Sequence, residues 1–188
     1  MIADWSELML EASKRVADPT ILQRAGMITG FAEGELNKKL RTAEMEASAT
    51  LTLDSAGEAD LPTGYVTMRT ARQGTYRLPE WPLVDIREGV NGYAIVGGKI
   101  IGCAGVEIEI DYYTEIPGLE ANGTNWLLAS DPEIYLFAVI KHALLAAMDM
   151  ETAGGAAGYL ERLLAEKSGQ DADARFGETR MTIAGANP

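Results

Sequence analysis

One stretch constrains this chain more than any other: Ser130 to Met150, SDPEIYLFAVIKHALLAAMDM. Ser130 can cap a helix, Glu133 three residues on completes a capping box, and Pro132 suits a first helical turn. Between Ile134 and Met148 the only charged or strongly polar side chains are Lys141 and His142. Ile134, Leu136, Phe137, Val139, Ile140, Leu144, Leu145 and Met148 fall on every side of the helical wheel. A helix that is apolar nearly all round is a buried one. The run is too short, and too interrupted at Lys141, to span a bilayer, which takes about 20 apolar residues. It is expected to be a central helix, covered by other helices and a sheet, or in part by another copy of the chain.

The chain's 188 residues are enough to bury a normal core in one domain, with room for a sub-domain. The first ten residues, MIADWSELML, lack a basic region followed by an apolar run, so no targeting segment is expected. A single cysteine, Cys103, excludes an internal disulfide and fits synthesis in a reducing cytosol. One histidine and one cysteine cannot build a His/Cys metal cluster. The net charge of -12 argues against gripping nucleic acid phosphates, which takes clustered Lys and Arg. It does not argue against a surface that DNA passes without sticking.

Asp4–Val16 has Trp5, Leu8, Met9, Ala12 and Val16 at helical spacing. Asp18-Pro19 restarts a helix expected to run to about Leu40, with Ile21, Ala25, Ile28, Ala32, Leu36 and Leu40 as its stripe. Glu35 and Lys39 are spaced for an i,i+4 pair. Gly26, Gly30 and Gly34 stand on one line of that helix, either as a groove for a close backbone or as poorly optimised positions. From Glu46 to Tyr113 the period changes to two. Ala47, Ala49, Leu51 and Leu53 alternate with Ser48, Thr50 and Thr52, and Val66, Met68 and Thr70 form a second alternating run. Gly97-Gly98 signals a two-residue hairpin turn. Val106, Ile108, Ile110 and Tyr112 alternate strictly with Glu107, Glu109 and Asp111, giving one greasy and one acidic strand face. Ile116–Ala129 reads as a loop or short irregular helix. Ala153–Gly158 is expected to break or loosen the central helix, before a last helix from Tyr159 to about Ser168.

Helices, then a contiguous block of strands, then helices imply an α+β fold. The expected organisation is a helical base of about four helices (residues 1–45 and 130–168), an inserted antiparallel β domain with its loop (46–129), and an extended C-terminal arm (169–188). Few residues point to chemistry. Gly97-Gly98-Lys99 lies between strands, whereas a phosphate loop leads into a helix. Glu107, Glu109 and Asp111 have no neighbouring His or second acidic motif, so a solvated face is expected. His142 reads as a satisfied core or groove residue, and Cys103 as a buried small hydrophobe. No catalytic, cofactor-binding or metal-binding residue is expected, and the chain does not read as an enzyme.

The stretch Ile28–Leu53, ITGFAEGELNKKLRTAEMEASATLTL, resembles the head–tail adaptor proteins of tailed bacteriophages: a helix with AExxLN-K/R-x-LR, a short Met-containing link, then an Ala/Thr/Leu strand. Further likenesses follow in the same order, at Asp60-Leu61-Pro62, Ile108–Tyr113, Asn125–Leu128, Asp131–Leu136 and Ala174–Gly177. Each motif is short; their order and spacing over nearly the whole chain carry the resemblance.

The resemblance implies a structural protein of the virion neck, made in the host cytoplasm. Twelve copies would form a ring under the portal protein, extend the DNA channel and offer the tail or a tail-completion protein its attachment site. DNA would pass without sequence-specific binding, with no membrane and no cofactor involved. Alternatives are a tail-completion or terminator ring, or a small cytosolic nucleotide-binding enzyme built on the Gly97–Gly105 hairpin. Arg175, Phe176, Arg180, Met181 and Ile183 are the expected portal contacts. Gly26, Gly30, Gly34, Glu35, Lys38, Lys39 and Arg41 are the expected contacts between subunits. Glu107, Glu109, Asp111 and Trp126 are expected to face the channel or the tail.

Overall fold

A computed structural model describes residues 2–176. In chain order these form α1 (Trp5–Val16), a 3-10 stretch over Pro19–Arg24, α2 (Ala25–Lys39), β1 (Glu46–Thr52), β2 (Glu58–Asp60), β3 (Tyr65–Gln73), β4 (Tyr76–Arg77), a short α3 (Leu83–Arg87), β5 (Ala94–Val96), β6 (Lys99–Ile101), β7 (Glu107–Thr114), α4 (Leu119–Asn122), α5 (Trp126–Ser130), α6 (Pro132–Ala146) and α7 (Met150–Phe176). The fold is α+β, with antiparallel sheets. The described residues divide into a helical unit, residues 2–43 and 116–176, and a strand unit, residues 44–115.

In the helical unit α1, α2 and α7 each pack on α6. Asp4 caps α1, its carboxylate accepting from the Glu7 N–H at 2.9 Å. Asp18 accepts from the Thr20 N–H at 2.8 Å, but the chain then takes a 3-10 path. The expected single helix from Pro19 is therefore two pieces, and α2 proper starts at Ala25. Ile28, Ala32 and Leu36 of α2 are buried as the stripe requires, and Ala25 is half-exposed. On α6, Ile134, Tyr135, Leu136, Ala138, Val139, Ile140, Ala143 and Leu144 are buried. Removing each such Leu or Ile from water contributes about 1.5–3 kcal/mol, so α6 anchors the unit.

The ends of α6 differ from expectation. Ser130 closes α5, and Asp131 takes the cap position without a side-chain bond to the helix. Instead the Ser130 hydroxyl donates to Asp131 at 2.5 Å and Lys167 pairs with it at 2.8 Å, so no Ser130–Glu133 capping box forms. The helix stops at Ala146 rather than in the glycines. Met148 takes a left-handed backbone (φ 63°), and Asp149 accepts from the Thr152 N–H at 3.1 Å to start α7. The glycine-rich stretch is then interior to a single helix running to Phe176. Ala153, Ala156, Leu160 and Leu164 form its buried stripe, whereas Gly154, Gly155 and Gly158 lie on the open side with no neighbouring atom where a Cβ would stand. Packing of the stripe outweighs the weak helix propensity of the glycines.

Two further boundaries move. Residues 116–129 were expected with the strands but belong to the helical unit. Ile116, Leu119, Leu127 and Leu128 are buried there. Side chains of α2 hold the backbone down: Asn37 accepts from the Ile116 N–H at 2.8 Å and Glu33 from the Leu119 N–H at 2.7 Å. Asn125 caps α5 and donates to Tyr135 Oη at 2.7 Å, locking this segment to α6. Residues 169–176, expected as the start of an extended arm, continue α7. An Asp171–Arg175 pair at 2.7 Å supports that last stretch, and Asp171 also accepts from the Ala43 N–H at 2.8 Å.

The strand unit has one sheet ordered β1-β7-β3-β4 and a second ordered β2-β6-β5. β7 is central, and its alternation decides the fold: Ile108, Ile110 and Tyr112 join Leu53, Ala71, Leu78, Tyr93 and Ile100 in one core. β3 departs from simple alternation. Two irregularities, at Tyr65/Thr67 and Met68/Thr70, shift its phase and put Ala71 into the core. Gly97 and Gly98 turn β5 into β6 with φ of 60° and 80°, as a two-residue hairpin needs. Cys103, expected to be buried, is exposed, because it falls in the turn after β6 and not on a strand.

Candidate functional site

A surface helix is ordinarily apolar on one face and polar on the other. α2 breaks that rule. Its inner face is buried, yet its outer face carries Met27, 48% exposed, and Phe31, 59% exposed, beside Gly30 and Gly34. This outer face and α6 border an open recess of about 390 Å³, lined by Phe31, Glu35, Lys38, Lys141, His142 and Leu145 among others.

The floor of the recess is a charge cluster centred on Glu35. Lys39, one turn along α2, pairs with it at 2.8 Å. From α6, Lys141 donates to both carboxylate oxygens and the His142 Nε2 donates to one at 2.9 Å. Burial pushes the Glu35 carboxyl up, but the hydrogen bonds from Lys141, Lys39 and His142 outweigh it and hold it at about 2. The hydrogen bonds that Lys39 donates to Glu161 and Glu35 in turn push its ammonium up. The Phe31 ring tilts over His142, with centroids 6.1 Å apart. The recess is thus an apolar shelf with a fixed cationic side. Among the described residues Lys38 has no ion-pair partner. This arrangement suits docking of a surface; it offers no paired nucleophile and base.

Of the residues expected between subunits, Gly30, Gly34, Glu35, Lys38 and Lys39 meet at this recess. Gly26 does not: a Cβ there would stand 2.8 Å from the Glu120 carboxylate, inside the unit. Arg41 lies beyond the end of α2 and donates to the carbonyls of Asn37 (2.8 Å) and Leu40. Phe31, Lys141, His142 and Leu145 also line the recess, though none is among the contact residues named from the sequence. The exposed Phe at i+1 of a glycine was the signal that could have found it.

The other candidates are dispersed. Glu107, Glu109 and Asp111 stand on β7 in the strand unit. Asp111 is not a bare charge: it accepts from Ser48 and Thr70 at 2.7 Å each and pairs with Arg72 at 3.1 Å. Those two hydroxyls hold its carboxyl below the usual carboxylate range. Trp126 is in the helical unit, its ring 5.9 Å from the Lys167 ammonium. Arg175 lies in the last turn of α7, where it pairs with Asp171, and Phe176 ends that helix. Arg180, Met181 and Ile183 lie outside the described residues.

The nucleotide reading finds no geometry. Gly97-Gly98 turns between two strands, not into a helix, and Lys99 pairs with Glu58 at 2.9 Å. Among the described residues no cluster of His, Cys, Asp and Glu is placed to hold a metal ion, and no helix is long and apolar enough to cross a membrane.

A model of the SU10 adaptor protein family matches residues 3–183, almost the whole chain. No curated protein matches it. The match covers both the helical unit that carries the recess and the strand unit. The chain belongs to the SU10 adaptor protein family, a family of phage head–tail adaptors.

Proposed function

We propose that this structural adaptor works as a ring of about twelve copies beneath the portal, extending the DNA channel and presenting a lower face to the tail or a tail-completion protein. The observation that carries the reading is the outer face of α2. A single copy of an adaptor leaves Phe31 and Met27 in water on a helix whose inner face is already filled. A neighbouring copy removes that cost. The net charge of -12 suits a wall that DNA slides past, since like charge suppresses phosphate binding. In this reading the virion neck is the working location. Arg175, Phe176, Arg180, Met181 and Ile183 reach the portal, and Glu107, Glu109, Asp111 and Trp126 face the channel or the tail.

The test is electron microscopy of the protein mixed with its portal. A ring coaxial with the portal and attached beneath it is the expected image. A ring that joins the tail without touching the portal would give the tail-completion reading instead. Particles lacking the protein should fail to join tails or should leak packaged DNA. If they keep their DNA and join tails normally, the proposal is wrong.

A further inference from the structure

The helical unit has a second open recess, of about 540 Å³, between α1 and the start of α6, lined by Ile2, Leu10, Glu11 and Glu133 among others. Lys141, His142 and Leu145 of α6 line the first recess, and Pro132, Glu133 and Leu136 line the second. With about 3.6 residues per turn, these two sets point to roughly opposite sides of α6. Each recess exposes a large apolar side chain, Phe31 at 59% in one and Leu10 at 48% in the other.

Their charges are complementary. In the first recess Glu35 holds Lys39 and Lys141 and Glu161 also holds Lys39, which leaves Lys38 as the cation without an ion-pair partner among the described residues. The second has Glu7, Glu11 and Glu133 against Lys14 and Arg15. Lys14 and Arg15 are already occupied with Glu11, at 3.9 and 3.0 Å. Two copies meeting through the first recess alone would set Lys38 against Lys38 with no carboxylate to spare. The first recess against the second sets Lys38 against Glu7 and Glu133, with an apolar side chain on each surface.

We infer that the α2–α6 recess of one copy receives the α1 face of a second copy, with Leu10 seated against Phe31 and Glu133 facing Lys38. The contact joins two different surfaces, so every copy keeps one of each for the next neighbour. Repetition of such a contact closes into a ring when its rotation permits and otherwise runs on as a fibre. The inference deepens the ring reading above and rests on it.

Cysteine pairing in the full chain tests it. Cys103→Ser removes the only native thiol. Leu10→Cys and Phe31→Cys are then made singly and together; both positions are exposed, and circular dichroism checks the fold. Under mild oxidation the double variant should give a covalent ladder of many copies, whereas each single variant should give none. A disulfide-linked dimer from Phe31→Cys alone would mean that the face meets itself and would overturn the inference. So would an assembled but unladdered double variant, or a chain that stays monomeric both alone and with the portal. A ladder from a ring that ignores the portal keeps the contact and sinks only the neck assignment. As a second readout, Lys38→Glu should lose assembly and Glu133→Lys in the same chain should restore it; loss without restoration counts against the pairing.

Discussion

The Lys141 ammonium reaches both carboxylate oxygens of Glu35, joining α6 to α2 through side chains that are only 17% and 13% exposed. Glu35 is the shared acceptor for Lys39 and His142 as well, while Lys39 also reaches Glu161. Glu35→Gln removes that charge and leaves Lys141 without its counterion. The expected loss is about 3 kcal/mol of stability, read as a lower denaturation midpoint in urea.

The same cluster sets an acid dependence. The Glu35 carboxyl titrates at about 2 in the folded chain and at about 4.3 when unfolded. A folded value below the unfolded one means that the ionised form favours folding. This contribution is present at neutral pH and is lost as pH falls from about 4.3 toward 2. Denaturation curves of the wild type should show that loss, and Glu35→Gln should flatten it. An unchanged acid profile in the variant would remove Glu35 as its source.

Lys141 is not at a freely wetted boundary, so Lys141→Leu has a cost even though its site is semi-apolar. Lys39 and His142 still satisfy Glu35 in that variant. The fold should therefore survive with a loss of about 1.5 kcal/mol, smaller than for Glu35→Gln. The order of the two variants in one urea series is the check.

Leu144→Asp should prevent folding. Leu144 is buried on α6, and Lys141, one turn before it, is already held by Glu35, so an aspartate there would bury an uncompensated charge. A whole-protein stability of about 5–15 kcal/mol does not withstand loss of the leucine plus burial of a charge. A soluble, cooperatively melting monomer would disprove the central place given to α6.

Glycines separate stability from assembly. A Cβ at Gly30 or Gly34 meets no neighbouring atom, so alanine at each should raise the stability of the monomer by about 0.5–1 kcal/mol. If the recess docks a neighbour closely, the same variants should assemble less well, measured by sedimentation. Gly57 is the contrasting case. Its φ is 77°, and a Cβ would stand 2.4 Å from the Gly102 carbonyl oxygen, so Gly57→Ala should cost about 3 kcal/mol.

Legibility followed the strength of the local pattern. The alternation of Ile108, Ile110 and Tyr112 and the stripe of Leu8, Met9 and Ala12 each have one burial solution, and each was readable. The Gly97-Gly98 turn was readable because left-handed backbone at both positions favours glycine. Features decided by distant partners were not. Nothing near Asn125 in sequence shows that Tyr135 will take its amide, nor that Asn37 and Glu33 will hold the 116–119 backbone. The glycines of α7 misled because propensity is a local quantity, whereas Ala153, Leu160 and Leu164 act through packing. At the recess, Glu35–Lys39 was visible as an i,i+4 pair, but the α6 half, Lys141 and His142, stands 106 and 107 residues away in sequence.

In the strand unit, Glu46, the first residue of β1, lies directly opposite Tyr113, next to the last of β7. The chain therefore enters and leaves residues 44–115 through two hydrogen-bonded neighbours. Two ends held side by side need only a short bridge between them. Exchange or removal of the segment between these two borders would therefore leave the helical segments to be rejoined by a short bridge.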